Sequence, residues 1–371
     1  MPTRLTIFIV SILFLPVLGS ALSGRSLSLR FQYPPVSRHS LFTDFSGPIF
    51  TVYVVLLLVP VALLIGAVCC RPAAPQSGRR TPFHQGYLPW WTWAGLLTVA
   101  GGVAAGIAGA TAVAVFLLLT GLALTFDGLN CRRGATLVAQ RPGYFLSLFA
   151  LGALLWWLLE YLNRFAEVWH FAPEATQSGV EYALLGTLAF APVPATVMAL
   201  QVWLNGLPIM TRLRRGRPLP ALSDQTAALW LILLSAVGLM AGAIWRPLFG
   251  LLWLAPVLLL SALQLLWGRE TFFSGIFRGN WSRIIASALA GVAAGSVIAA
   301  ANTVFGGSWR LAPPLVQCCD LLGVPALGYA GFALLGILCM QLSDRLAGAF
   351  PGRAKPAPDK RKPFPIPVRS E

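Results

Sequence analysis

The chain has 371 residues, of which 57% are hydrophobic and only 11% charged, against about a quarter charged in soluble domains. Its mean hydropathy is +0.74. Runs such as GPIFTVYVVLLLVPVALLIGAVCC reach the roughly 20 apolar residues needed to cross a bilayer. This excludes an ordinary soluble domain. Continuous runs also exclude a barrel, whose strands are short and alternating. Backbone hydrogen bonding in lipid makes the spans helical.

In chain order, spans are expected near residues 5–22, 48–69, 89–107, 109–126, 144–163, 180–205, 226–245, 247–267, 284–304 and 322–343. The expected fold is thus an all-α polytopic membrane protein of about ten transmembrane helices. The first segment has Arg4, a short apolar core and GSALSG, features shared with cleaved signal peptides; a retained helix is the reading taken. Residues 1–70 form a two-helix N-terminal addition with an external loop. The Gly-rich centre AGGVAAGIAGA divides 89–126 into a tight hairpin. Two four-helix units follow, 89–206 and 226–343. The tail 346–371, with PGRAKPAPDKRKPFPIPVRSE, reads as a disordered, basic, Pro-rich cytoplasmic end.

The net charge of +15 could point to nucleic acid, but position decides against it. With the N-terminus inside, 21 of the 27 Lys and Arg fall on cytoplasmic segments and 6 outside, as the positive-inside rule requires. The main exception is the first external loop, with Arg25, Arg30 and Arg38. The surplus reads as topology and attraction to anionic headgroups. The expected location is a bacterial inner membrane with both termini cytoplasmic. The expected partners are membrane lipids, an isoprenoid among the candidates; no nucleic acid is expected, and oligomeric partners stay open. The six cysteines match no disulfide framework or zinc spacing and read as small packing residues. Phosphate loops, nucleophile elbows, His-Glu-x-x-His and dinucleotide fingerprints are absent. With three His in the chain, no metal site and no cofactor are expected.

WHFAP at 169–173 has a near copy, WRLAP, at 309–313. A shift of 139 to 140 residues lays RPGYFLSLFALGALLWWLLEYLN over NWSRIIASALAGVAAGSVIAAAN, matching Gly152 with Gly291 and Asn163 with Asn302. Trp169 then meets Trp309, and Glu181 meets Asp320. These matches in order point to an internal duplication. Four spans per unit is an even number, so the repeats are parallel, related by an axis along the membrane normal. The repeated phrase becomes the external connector between the third and fourth helices of each unit.

The first copy carries more chemistry. In WWLLEYLNRFAEVWHF, Glu160, Asn163 and Glu167 are spaced to share a helical face, with Trp156 one turn before Glu160 and Trp157 beside it. An ionisable group in a membrane helix is costly and therefore a functional candidate. Glu160 and Glu181 are the candidate catalytic acids. Asn163, Trp156, Trp157, Trp169, His170, Asn302, Trp309 and Asp320 are candidate ligand-binding residues. The plainer alternatives are pairing of Glu160 with Arg164, helix capping by Asn163, a helix-dipole role for Glu181, and packing or interfacial roles for the tryptophans and His170. In the second copy Ala299 stands where Glu160 does, which fits one asymmetric site better than a symmetric channel.

The order of a helix-end carboxylate, WHF, and then a Gly followed by VEYALLGTLAF resembles the repeat unit of the membrane-embedded lycopene cyclase domain. The overall layout is also similar to bacterial multi-pass membrane proteins. The likeness covers about 50 residues in each half. It implies tandem units and cyclisation of a long polyene by protonation. Glu160 or Glu181 would then be the proton donor, and Trp156, Trp157 and Trp169 would stabilise a carbocation through their ring faces. The chain departs from that pattern: Glu181 stands alone where the family has paired glutamates, the second copy keeps only Asp320, and each unit has four spans rather than three.

Three functions fit these residues: acid chemistry on an isoprenoid-like lipid in a pocket near the outer leaflet, transport or other handling of lipids, and a structural role beside another membrane protein. Whether the chain is an enzyme stays open.

Overall fold

The computed structural model describes residues 2–24, 27–35, 45–69, 88–171, 178–307 and 309–350. Residues 351–371 of the expected tail, and residues 25–26 and 36–44 of the first external loop, with Arg25 and Arg38, lie outside the described residues; the expected start of the tail, Leu346 and Ala347, belongs to the last helix instead. The helices in order are α1 (Pro2–Leu22), the short α2 (Leu27–Arg30), α3 (Gly47–Cys69), α4 (Trp90–Ile107), α5 (Thr111–Cys131), the short α6 (Leu137–Gln140) and α7 (Pro142–Ala166). Then come α8 (Gly179–Phe190), α9 (Val193–Asn205), the short α10 (Ile209–Leu213), α11 (Asp224–Ile244), α12 (Phe249–Leu266), the short α13 (Ser274–Phe277), α14 (Ser282–Val304) and α15 (Gly328–Ala347). Two three-residue strands, β1 (Trp169–Phe171) and β2 (Trp309–Leu311), complete the fold.

This is an all-α polytopic membrane protein. Among the described residues nine helical segments are long and apolar enough to cross a membrane, counting α8 and α9 as one. The tenth expected span, α1, has a shorter described apolar stretch, Thr6–Leu22. It lies against α11 and α12, with Ile12 fully buried.

The expected span 180–205 is two helices with a break at Ala191 and Pro192. Pro192 has no N–H to continue the ladder, and Pro194 follows two residues later, where a helix start tolerates it. α7 packs directly on that break. A Cβ at Gly152 would come within 2.1 Å of the Ala191 carbonyl oxygen, so only glycine admits the contact. Gly291 of α14 stands in the same relation to α15, where a Cβ would meet the Phe332 oxygen at 2.3 Å. The hairpin expected between α4 and α5 turns over residues 108–110, with Gly109 at φ 82°.

In the centre, α9 packs on α5 and α14, α14 on α15, and α12 on α15. Leu119, Leu148, Leu162, Val197, Leu252 and Val257 form the buried core. By contrast α3 leaves its apolar surface exposed, a face that meets lipid in a membrane. It is held by Tyr53, whose hydroxyl donates to the Pro247 carbonyl at 2.8 Å and whose ring stacks on Phe249 with centroids 5.0 Å apart.

The two similar phrases meet. β1 and β2 pair antiparallel, with Trp169 opposite Leu311, His170 opposite Arg310 and Phe171 opposite Trp309. The register is symmetric about the His170–Arg310 pair: each strand's Trp faces the third residue of the other. The ladder continues where Ala312 N–H donates to the Val168 carbonyl at 2.7 Å.

Candidate functional site

The site begins where α7 ends. Glu167 adopts a left-handed conformation (φ 52°, ψ 43°) and closes the helix, its N–H bonded to the Asn163 carbonyl at 2.8 Å. Glu167 therefore lies outside the helical face it was expected to share with Glu160 and Asn163. Its carboxylate comes within 3.9 Å of Arg246 instead. The Asn163 side chain then steers the chain into β1. Its Oδ1 accepts from Val168 N–H at 2.8 Å and Trp169 N–H at 3.2 Å, and its Nδ2 donates to the Trp169 carbonyl at 2.8 Å. At the end of α14, Asn302 Nδ2 donates to the Trp309 carbonyl, also at 2.8 Å. Its Oδ1 is buried without a partner among the described residues.

One turn before Asn163, Glu160 is 2% exposed. A lone carboxylate so deeply buried is costly, and its surroundings offset that cost. Arg164 Nε lies 3.3 Å from Oε1, and Trp169 Nε1 donates to Oε2 at 3.2 Å. The Tyr182 side chain of α8 interacts with the same carboxylate. Arg164 is in turn held by the N-terminal segment, donating to the Gln32 carbonyl at 2.6 Å. Arg30, 9% exposed, donates to the Arg164 and Phe165 carbonyls at 2.9 and 3.3 Å, with its guanidinium 5.6 Å over the Phe165 ring. A cation on the last carbonyls of a helix satisfies orphan acceptors and suits the dipole. One basic residue of the first external loop thus has a local task that charge counting alone does not show. Tyr33 extends the clamp: its hydroxyl donates to the Gly179 carbonyl at 2.6 Å and its ring meets Tyr182 edge-on at 5.8 Å.

Around the carboxylate the aromatic rings close up. Trp156 stacks on Trp169 at 6.4 Å and 25°, and Trp169 meets Trp253 of α12 at 5.0 Å and 34°. Phe190 lies 4.9 Å and Tyr182 6.5 Å from Trp156. Three indoles from α7, β1 and α12 therefore form one stack, which joins residues of the first expected unit to one of the second.

Of the residues singled out from sequence, Glu160, Asn163, Trp156 and Trp169 come together. Trp157 turns away; it is 38% exposed and donates to Thr187 Oγ1 at 3.1 Å. Strand alternation sends His170 to the face opposite Trp169, beside Arg310. Glu181 is exposed in the first turn of α8, its N–H bonded to the Ser178 capping hydroxyl at 3.2 Å. Trp309 sits in β2, packed against the core. Asp320 is exposed in the loop after β2, well before α15 begins at Gly328, so it does not open a helix as Glu181 does. The loop is occupied instead by a small bridge between Leu321 and Val324. Ala299, aligned with Glu160, is 1% exposed.

Five participants were not singled out as site residues from the sequence: Arg30, Tyr33, Tyr182, Phe190 and Trp253. A signal existed for two of them. Tyr182, Gly186 and Phe190 recur every four residues on one face of α8, and a Cβ at Gly186 would come within 2.8 Å of the Trp156 ring. Trp253 lies 84 positions from Trp169 in sequence and has no local cue. Among the described residues, no group of three or more His, Cys, Asp or Glu is placed to hold a metal ion. Against known protein families, curated proteins and solved structures, the chain matches none.

Proposed function

We propose that the chain is an inner-membrane protein that binds an isoprenoid-type lipid beside the paired connectors, with both termini on the cytoplasmic side. The carrying observation is the indole stack Trp156–Trp169–Trp253 built around the buried Glu160 carboxylate. Stacked aromatic rings beside a buried acid form a surface for an apolar, polarisable molecule. The same proposal takes the two units as copies of one duplicated ancestor. It draws on the symmetric register of β1 with β2, the matched Asn163 and Asn302 bonds, and the matched Gly152 and Gly291 contacts. In this reading the second copy has lost its acid at Ala299 and supplies Trp253 as a wall.

Acid catalysis on a polyene, as the lycopene cyclase resemblance implies, would fall to Glu160 rather than to the exposed Glu181. Proton donation would first require Arg164 to withdraw from the carboxylate, so binding is the reading taken. A structural role is the second reading, favoured by one specific observation: the Arg30, Arg164 and Glu160 network ties the N-terminal segment to the end of α7.

Mass spectrometry of co-purifying lipids separates the two. Wild type is expected to retain a defined isoprenoid that Trp253→Ala and Glu160→Ala lose. Bulk phospholipid alone in all three, with wild-type monodispersity, would overturn lipid binding in favour of the structural clamp.

A further inference from the structure

Resting on that lipid-site reading, we infer that the ligand is a flat, uncharged ring bearing a carbonyl oxygen, of quinone type, held by the indole N–H groups of Trp156 and Trp253. The three stacked indoles use their donors unequally. Trp169 Nε1 is committed to Glu160. Trp156 Nε1 and Trp253 Nε1 are both buried and have no acceptor among the described residues. Trp156 as a whole is only 5% exposed. Buried indole N–H groups usually find a partner, and neither of these two reaches the surface. Two orphan donors on either side of one satisfied indole point to an acceptor supplied from outside the chain.

The rest of the stack narrows what carries that acceptor. A pure hydrocarbon polyene has no lone pair to offer, so it would leave both donors unmet. The local charges are already balanced, since Glu160 pairs with Arg164, and an ionic headgroup would have to break that pair. The indoles lie within 25° and 34° of parallel, a geometry that favours a planar ring offset-stacked on them over a branched ester. A conjugated carbonyl ring with an apolar tail meets all of these conditions.

The test uses the full-length protein in phosphatidylcholine nanodiscs and three probes: an alkyl-tailed benzoquinone, an alkylbenzene with the same tail, and a diacylglycerol. Bound probe per protein is measured across a concentration series after gel filtration, against empty nanodiscs. The benzoquinone is expected to bind above background, and Trp156→Phe and Trp253→Phe, which keep the ring and remove the donor, should each weaken it roughly three- to tenfold. In wild-type protein labelled with 15N, quinone should also shift two indole N–H resonances, a readout that does not depend on the variants folding. If alkylbenzene binds as well as quinone and the variants change nothing, the carbonyl inference fails while the lipid site stands. If diacylglycerol binds equally with the same dependence on the two tryptophans, the planar-ring part fails. If no probe exceeds background, the lipid-site reading fails with it.

Discussion

The connector after α7 and the connector after α14 start from the same hydrogen bond and end in different chemistry. Each places an Asn at a helix end, donating at 2.8 Å to the carbonyl of its own Trp, and each sends that Trp into a strand of the shared two-stranded sheet. One turn earlier the two part. The first has Glu160 with Arg164, Trp169 and Tyr182 about it; the second has Ala299. The backbone device is therefore separable from the polar cluster. The second connector makes its turn without a buried carboxylate, while the first carries the extra cost of burying one together with its guanidinium partner.

The largest expected effect comes from splitting the pair that distinguishes the two connectors. Arg164→Ala leaves the buried Glu160 carboxyl without its ion-pair partner, and should destabilise the protein by about 3–5 kcal/mol. Replacing both residues together, Glu160→Leu with Arg164→Met, should recover most of that loss, because no unpaired buried acid remains. Thermal unfolding in a fixed detergent measures both. If Arg164→Ala melted like wild type, the ion pair would have no part in holding the connector.

The asparagines come next. Among the described residues Asn163 makes three side-chain hydrogen bonds and Asn302 one. At about 1 kcal/mol for each bond, Asn163→Ala should cost about 3 kcal/mol and Asn302→Ala about 1 kcal/mol. Equal losses would mean that the turn, and not the bond count, sets the cost. The glycines test the opposite expectation, that the two halves behave alike. Gly152→Ala and Gly291→Ala each push a methyl group into a backbone oxygen of the fourth helix, and each should cost about 1–3 kcal/mol. A loss confined to one of them would show that the two packings, though alike in distance, differ in their capacity to relax.

How far the sequence led can be judged from the same residues. The spans were legible because lipid demands continuous apolar runs, and the WHFAP and WRLAP phrases marked the connectors because Trp and Pro are rare and positionally specific. The pairing of the two strands was not legible. Three residues with no alternating pattern do not announce a strand, and their partner lies 140 positions away. The break at Ala191–Pro192 was written in APVP, but a 26-residue apolar run hid it. Asp320 was expected at a helix start for a related reason: matching by offset carried the helix start at Glu181 over to position 320, while the residues before Gly328 form a loop with a bridge between Leu321 and Val324. At the site, Glu160 and Asn163 stood out because polar residues in a span are costly. Trp253 did not, because a Trp in an apolar helix is ordinary until its neighbours are known.

The smallest expected effect lies at the loops that follow α5 and α12, and it repeats the contrast in a milder form. After α5, the buried Asp127 accepts from Thr136 Oγ1 at 2.7 Å and Leu137 N–H at 2.6 Å, fixing the start of α6. After α12, the corresponding loop carries an exposed bidentate pair, with Arg278 donating to the two Glu270 oxygens at 2.8 and 3.0 Å. Thr136→Val removes a buried donor and should cost about 1 kcal/mol. Arg278 holds the Glu270 carboxyl below its usual range, first by hydrogen bonding and then by charge. A depressed folded value stabilises the protein above the unfolded carboxylate range and is lost as pH falls through the folded value. Any contribution from this pair would therefore appear at neutral pH and fade only in acid. Solvent screens both side chains, so Arg278→Ala should match wild type in melting temperature at neutral pH and in its slope on acidification. A lower melting temperature for Arg278→Ala at pH 7 that converged on wild type near pH 3 would show instead that this exposed pair holds its loop as Asp127 holds the other.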